Sequence, residues 1–131
     1  MHRSALAGFI IDCQVDQLPS AADFWGAALG RQLQPSAAEE DAGYVPLETR
    51  EDGLHIEVQK VAHPSRVHLD IETDNIEAEV ARLEKLGAKR IAFVRERWWV
   101  MEAPSGHRFC VVPMPKKSGR QKPNIWKQPP L

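Results

Sequence analysis

One order of local patterns occurs twice along this chain, and it limits the folds open to it. A strand pattern, an amphipathic helix and three further strand patterns fill residues from about 7 to 61, and the same order returns from about 66 to 113. Each half is short for an independent domain, so we expect the two halves to form one domain. The sequence therefore predicts an α+β fold of two tandem βαβββ modules with a mixed sheet.

Both predicted helices follow a strand and end at a glycine. In the first half, Pro19 stands where a first helical turn accepts proline, and Gly30 ends the apolar pattern. In the second half, the stripe begins at Ile76, and Asp74 with Glu77 three residues later predicts a capping box. These signals place one helix in each module.

The composition excludes several functional classes. The chain has 131 residues, 17 basic and 18 acidic side chains, and a formal charge of −1. This balance gives no general reason to expect a nucleic acid or a membrane surface as partner. No apolar run approaches the eighteen or so residues of a membrane-spanning helix, and the two cysteines lack CxxC spacing, so we expect a cytoplasmic protein without disulfides.

The C-terminal segment 114–131 differs from the rest of the chain. It is rich in proline and contains no acidic residue. Such a segment cannot build a core, and we expect a solvated tail outside the domain 1–113, with Ile125 and Trp126 as its only candidates for contact with the domain. The alternative is a basic arm for a partner or RNA. Its basic residues are Lys116, Lys117, Arg120, Lys122 and Lys127.

Alternation on two strands predicts a polar surface. In LHIEVQ the polar face carries His55, Glu57 and Gln59, and in VHLDIE it carries His68, Asp70 and Glu72. The apolar faces of these strands are expected to meet the helices, which leaves Glu57 and His68 on the same polar side. A solvated sheet face is the competing interpretation.

Three phrases, in order and at the expected separation, resemble the vicinal oxygen chelate (VOC) superfamily. The superfamily contains glyoxalase, bleomycin-resistance and extradiol-dioxygenase relatives, and this chain is most similar to its compact members with a glyoxalase-like domain. The phrases are FIIDCQV followed by LPSAADFWGAALG, then VHLDIETDNIEAEVARLEKLGAKR, then WVMEAPSGHRFCVV, and they cover residues 7 to 112. The resemblance implies that the modules curl as half-barrels around a cleft, with the helices on the outer face, and that the chain forms a homodimer.

The resemblance also implies where a metal ion would bind. Matched by motif, the four ligand positions hold Ile10, Glu57, His68 and Cys110. Glutamate and histidine bind divalent ions, but isoleucine cannot, and cysteine replaces the usual carboxylate. Asp12 lies two residues from Ile10 on the same strand face and would be a displaced third ligand. The set Glu57 and His68 is incomplete, so no cofactor is expected, and a divalent metal ion is the alternative.

The same residues allow chemistry without a metal. His68 hydrogen-bonded to Glu57 or Asp70 would be a proton shuttle, although such a pair also simply satisfies buried polar groups. Only one of Trp98 and Trp99 can face the cleft, and the register of the family favours Trp99 together with Met101. Trp25 is explained equally well by core packing and by ligand contact.

Three functions follow from these residues. The first is a metal-independent protein that binds a planar or aromatic metabolite or drug in the cleft, in the manner of bleomycin-resistance relatives. The second is a metal-dependent lyase, isomerase or dioxygenase that uses Glu57 and His68 with Asp12 or Cys110. The third is an interaction module with a basic tail. The candidate ligand-binding residues are Asp12, Trp25, His55, Glu57, His68, Asp70, Trp99, Met101 and Cys110.

Overall fold

The computed structural model describes residues 1–35, 43–115 and 122–127. Within these residues the chain has an α+β fold with eight strands and two helices, as predicted, and the strand pairing is both parallel and antiparallel. The elements are β1 His2–Cys13, α1 Leu18–Leu29, β2 Tyr44–Pro46, β3 His55–Lys60, β4 Arg66–Thr73, α2 Ile76–Lys85, β5 Lys89–Val94, β6 Trp98–Glu102, β7 Arg108–Pro113 and β8 Asn124–Trp126.

The chain divides into two compact units. The first unit is Gly8–His68, and the second unit is Met1–Ala7 together with the chain from Leu69 onward. Each unit has its own apolar core and its own helix. The predicted modules began near residue 7, but in the structure the N-terminal half of β1 belongs with the second unit.

The first unit is a three-stranded sheet covered by α1. Its strand order is β2-β3-β1, with β1 and β3 parallel and β2 antiparallel to β3. Alternate apolar residues of the strands face the helix, which is why the strands and helix form one core. The buried members of this core are Ile11, Cys13, Leu18, Ala22, Val45, Leu47, Ile56 and Val58.

Helix α1 begins and ends where the sequence predicted. Pro19 lies in its first turn, and Gly30 closes it in the left-handed conformation at φ 66°. The backbone N–H of Gly30 donates to the carbonyl of Ala27, and that of Arg31 donates to the carbonyl of Gly26. These bonds satisfy carbonyls that a helix end would otherwise leave without donors.

The second unit packs α2 on a four-stranded sheet. Its order is β4-β7-β6-β5, in which β4 and β7 are parallel and the other pairs antiparallel. In addition, β8 pairs with the N-terminal end of β1. The buried apolar core consists of Val80, Leu83, Met101, Phe109 and Val111.

Two sequence expectations need correction. The cap of α2 is Asn75, whose side chain accepts from the N–H of Ala78, whereas Asp74 accepts from the backbone N–H of Arg3. The apolar residues Val67 and Leu69 do not meet a helix, since they are 55% and 51% exposed. Alternation indicates the two faces of a strand, but it does not indicate how far a helix covers one of them.

The tail is not wholly outside the fold. Asn124–Trp126 forms β8, antiparallel to His2–Ser4, so Trp126 contacts the domain as the sequence allowed and part of the segment beyond 113 belongs to the second unit. Lys116, Lys117 and Arg120 lie outside the described residues. Neither described helix is long and apolar enough to cross a membrane.

Candidate functional site

The polar side of the β1–β3 pair carries the candidate site of the first unit. The strands run parallel with Gly8 opposite His55, Ile10 opposite Glu57 and Asp12 opposite Gln59, and these residues point away from the core side. Gly8 allows the strands to approach closely, because a Cβ at this position would overlap the backbone carbonyl of His55. The sequence pattern of period two therefore places a histidine and two carboxylates on one surface.

Asp12 and His68 form a hydrogen-bonded pair on this surface. The Nδ1 atom of His68 lies 2.7 Å from Oδ2 of Asp12, and the two side chains are 13% and 2% exposed. Because a carboxylate only accepts, the contact assigns the Nδ1–H form to the imidazole, so Nε2 carries the lone pair when the ring is neutral. Such a pair can orient an imidazole for proton transfer or for ligand binding.

The other oxygen of Asp12 is less well satisfied. Oδ1 is buried and has no hydrogen-bond partner among the described residues. Arg66 places Nε 3.8 Å from Oδ2, and its side chain is 47% exposed. A buried polar atom normally has a hydrogen-bond partner, so Oδ1 keeps the capacity to accept a hydrogen bond from a bound molecule.

A second histidine–carboxylate pair lies on the same surface. The Nε2 atom of His55 is 2.6 Å from Oε1 of Glu57, and the side chains are 37% and 14% exposed. Glu57 is thus paired with His55, and the carboxylate at Nδ1 of His68 is Asp12. The sequence had named Glu57 or Asp70 for that role. The sequence pattern did not indicate the contact between Asp12 and His68. Such a contact depends on the order of the strands in the sheet, and alternation within a strand does not give that order.

The metal set implied by the resemblance does not fit the first unit. Ile10 stands directly opposite Glu57, is only 3% exposed and cannot bind a metal. The carboxylate of Glu57 contacts His55, and Nδ1 of His68 contacts Asp12. Ile10 offers no ligand atom, so within this unit the set is reduced to Nε2 of His68 and the carboxylate of Glu57, which is too few for a metal site.

The remaining candidates, Asp70 and Cys110, lie in the second unit. They face each other in register on the parallel strands β4 and β7, and their ligand atoms are within 4.8 Å of each other. A carboxylate and a thiol at this separation are a partial ligand set for zinc.

Both cysteines are free, and burial raises the pKa of the Cys13 thiol above 9.0, which keeps Cys13 protonated.

The aromatic candidates lie mostly in the cores. Met101 is fully buried in the core of the second unit, and Trp99 packs against that core, so both lie on the helix side of the sheet. The predicted register was therefore off by one residue, and Trp98 is the tryptophan on the opposite face. Trp25 packs against the core of the first unit. The sequence pattern could not decide which of Trp98 and Trp99 faces the helix, because the two adjacent residues are identical.

A polar cluster in the second unit was not predicted at all. Glu79 of α2 is fully buried, and its carboxylate accepts hydrogen bonds from His2 of β1 and from Arg82, one turn later in the helix. Sequence offers a weak signal, since Glu79 and Arg82 are three residues apart on one helix face. Nothing local indicates that the distant His2 completes the cluster.

Together these features define a class: a small α+β protein of two helix-covered sheet units, with histidine–carboxylate pairs on the side of the sheet away from the helix. The chain belongs to the family described as glyoxalase-like domain, whose profile matches residues 8–112. This confirms the resemblance to the VOC superfamily.

Solved structures show the same fold at low identity. The chain is 15% identical to a methylmalonyl-CoA epimerase from Mycobacterium tuberculosis, with 85% of this chain and 91% of that chain covered and a TM-score of 0.61. A hypothetical protein from Bacillus halodurans is 14% identical over 87% and 96% of the two chains, with a TM-score of 0.60. A Streptomyces coelicolor methylmalonyl-CoA epimerase variant in complex with 2-nitronate-propionyl-CoA is 14% identical to this chain. The match covers 87% of this chain and 96% of that chain, with a TM-score of 0.59.

These identities establish the fold and leave the activity open. No functionally curated protein matches the chain. The function is therefore argued from the residues of the site.

Proposed function

We propose that this protein binds a small organic molecule on the polar side of β1 and β3 without a metal ion. The observation that carries the proposal is the Asp12–His68 pair, in which a 2%-exposed carboxylate holds an imidazole at 2.7 Å and has a second oxygen with no partner among the described residues. Such an arrangement offers directed hydrogen bonds from polar groups that are partly shielded from water.

The neighbouring His55–Glu57 pair supports the proposal. It supplies a second donor and acceptor on the same strand face, and it is more open to solvent than Asp12. A molecule lying on this face would meet two imidazoles and two carboxylates, which suits a ligand with several polar groups. The preference for a planar, aromatic ligand is weakened, because Trp25, Trp99 and Met101 pack in or against the cores.

A ligand screen tests this proposal. Thermal-shift measurements and saturation-transfer NMR would compare the intact protein with His68→Ala across a panel of small acids, amides, amines and phenols. The matched control is His107→Ala, which removes an exposed histidine of the second unit. We expect at least one compound class to bind the wild type and the control and to lose about tenfold or more in affinity in His68→Ala. Equal binding to all three proteins would refute the site.

A metal-dependent enzyme is the second candidate, and the Asp70–Cys110 pair favours it. Elemental analysis of tag-free protein expressed with added iron, manganese, nickel and zinc separates the two functions. Near-stoichiometric metal that is lost in Cys110→Ser would support the enzyme. Metal-free wild-type protein that still binds a compound in the screen would support the first proposal.

A further inference from the structure

The indole of Trp126 is held by two defined contacts in the second unit. Its Nε1–H donates to the hydroxyl of Ser4 at 2.7 Å. The guanidinium of Arg82 lies over the ring, with its central carbon 3.9 Å from the ring centroid. One contact recognises the N–H of an indole and the other its π face, so together they are specific for tryptophan.

The receiving surface is held in place by groups other than Trp126. Both nitrogens of Arg82 that face Glu79 lie 2.8 Å from its carboxylate oxygens, and Nε2 of His2 lies 2.8 Å from Oε1 of Glu79. A bidentate pair of this kind fixes the plane of the guanidinium. The surface is therefore preorganised, and we expect it to keep its shape when the tryptophan leaves.

The backbone of the same segment pairs with the N-terminal end of β1. Asn124, Ile125 and Trp126 lie opposite Ser4, Arg3 and His2 in antiparallel register. Ile125 is 50% exposed, so its side chain adds little to the contact. Main-chain pairing with one side-chain anchor is the way in which extended peptides add to sheet edges.

We propose that the second unit carries a binding site for an extended, tryptophan-bearing peptide, and that the chain's own segment Asn124–Trp126 is its resident occupant. The site consists of the His2–Ser4 strand end for the backbone and of Ser4 with Arg82 for the indole. In the sequence, residues 114–123 lie between β7 and the occupant. Because the occupant belongs to the same chain, it competes with any free peptide, so a free peptide binds well only when the resident segment is removed.

The test uses the full chain with Ile125→Pro and Trp126→Ala, which removes the anchor and a backbone donor of β8. The probe is a labelled peptide of residues 122–127, KPNIWK, and the matched peptide is KPNIAK. We expect saturable binding of KPNIWK to the variant, measured by fluorescence anisotropy. We expect binding about tenfold or more weaker for KPNIAK, which lacks the indole, and for the wild-type protein, whose own segment competes.

Ser4→Ala in the same variant removes the acceptor of the indole N–H and is expected to weaken KPNIWK binding several-fold, with no effect on KPNIAK. Circular dichroism establishes that each variant is folded. If the double variant is unfolded, Trp126→Phe keeps the ring without the N–H, and KPNIWK is expected to bind that protein more tightly than the wild type. Equal affinity for both peptides, no saturable binding to a folded variant, or equal binding to wild type and variant would overturn the site.

Discussion

Within the described residues, each unit has a carboxylate buried against a histidine, and the two carboxylates differ in how completely they are hydrogen-bonded. In the second unit, Glu79 accepts from Arg82 through both oxygens and from His2, and it is fully buried. In the first unit, Asp12 accepts from His68 through Oδ2, while Oδ1 is buried with no partner among the described residues. The same kind of histidine–carboxylate pair therefore occurs once with both carboxylate oxygens hydrogen-bonded and once with only one.

The difference separates structure from function. A buried charge with a full set of donors and an opposite charge has little left to offer a ligand, and it mainly fixes the packing of the elements it joins. A buried charge with an incomplete set keeps binding capacity at some cost in stability. We therefore interpret the Glu79 carboxylate as structural and the Asp12 carboxylate as functional.

The largest effect is expected for Glu79→Ala. The substitution leaves Arg82 and the 4%-exposed His2 without their carboxylate, so the free energy of unfolding is expected to fall by about 3–5 kcal/mol. Urea denaturation followed by circular dichroism measures this. The matched control is Glu77→Ala in the same helix, whose side chain is 68% exposed and pairs with Arg90, and it should cost about 1 kcal/mol or less. Similar losses for the two variants would contradict the structural role of Glu79.

Gly8→Ala is the second prediction, and it tests the close pairing of β1 and β3 that forms the site of the first unit. The added Cβ would overlap the His55 carbonyl, and backbone atoms cannot move aside as a flexible side chain can. We expect a loss of about 2–3 kcal/mol in stability, with hydrogen exchange of the β3 amides accelerated. Gly30→Ala is the control, because it meets open space and carries only the cost of φ 66°, about 1 kcal/mol. A Gly8→Ala protein as stable as the control would mean that β1 and β3 pair less closely.

The third prediction concerns acid stability and tests Glu79 without deleting it. Burial alone would raise the pKa of Glu79, but hydrogen bonds from Arg82, His2 and Ser4 outweigh burial and hold the pKa below 4.5. The unfolded chain therefore takes up this proton first as the pH falls. The stabilisation is fully present above about pH 4.5 and is lost as the pH falls through the lowered pKa of the folded protein.

Urea midpoints of the wild type and of Glu79→Gln at about pH 6 and about pH 3 measure this contribution. We expect the difference in stability between the two proteins to shrink at the lower pH, while Glu77→Gln follows the wild type at both. A difference that stays constant with pH would mean that Glu79 gains nothing from its donors in the folded state.

Much of the fold was predictable because it depends on local signals. The helix limits followed from Pro19, Gly30 and the apolar spacing, and the strand alternation on β3 indicated the correct core side with Ile56 and Val58 buried. What the sequence could not give was contact between distant segments. The pairing of β8 with β1 and the docking of His2 on Glu79 depend on positions that differ by 122 and 77 in the sequence.

The residues of the candidate site were predictable from the sequence, but the hydrogen bonds between them were less so. Asp12, His55, Glu57 and His68 were all identified from alternation or from the resemblance. Their pairing was not, since it depends on which strands are neighbours. Trp99 and Met101 were wrongly placed because a single-residue shift moves every side chain of β6 to the other face, and two adjacent tryptophans leave the pattern without a register mark.

Asp12→Asn is the last prediction and carries the smallest change in stability. Asparagine keeps an oxygen that can accept from Nδ1 of His68 and removes a buried charge that lacks a full set of donors. We expect the free energy of unfolding to change by about 1 kcal/mol or less, in either direction. We expect the affinity for a compound found in the ligand screen to fall about tenfold or more, because a charged acceptor has been lost. Asp23→Asn, an exposed aspartate of α1, should change neither quantity.

The pair of isosteric substitutions Asp12→Asn and Glu79→Gln decides the comparison, because each removes one charge and little volume. If Glu79→Gln costs more stability and leaves ligand affinity unchanged, while Asp12→Asn does the reverse, the number of donors around a buried carboxylate distinguishes its role in this fold. If both cost stability equally and neither alters affinity, Asp12 is a structural residue and the ligand must contact other groups. The incomplete hydrogen bonding of Asp12 would then reflect tolerated strain in the first unit rather than a binding site.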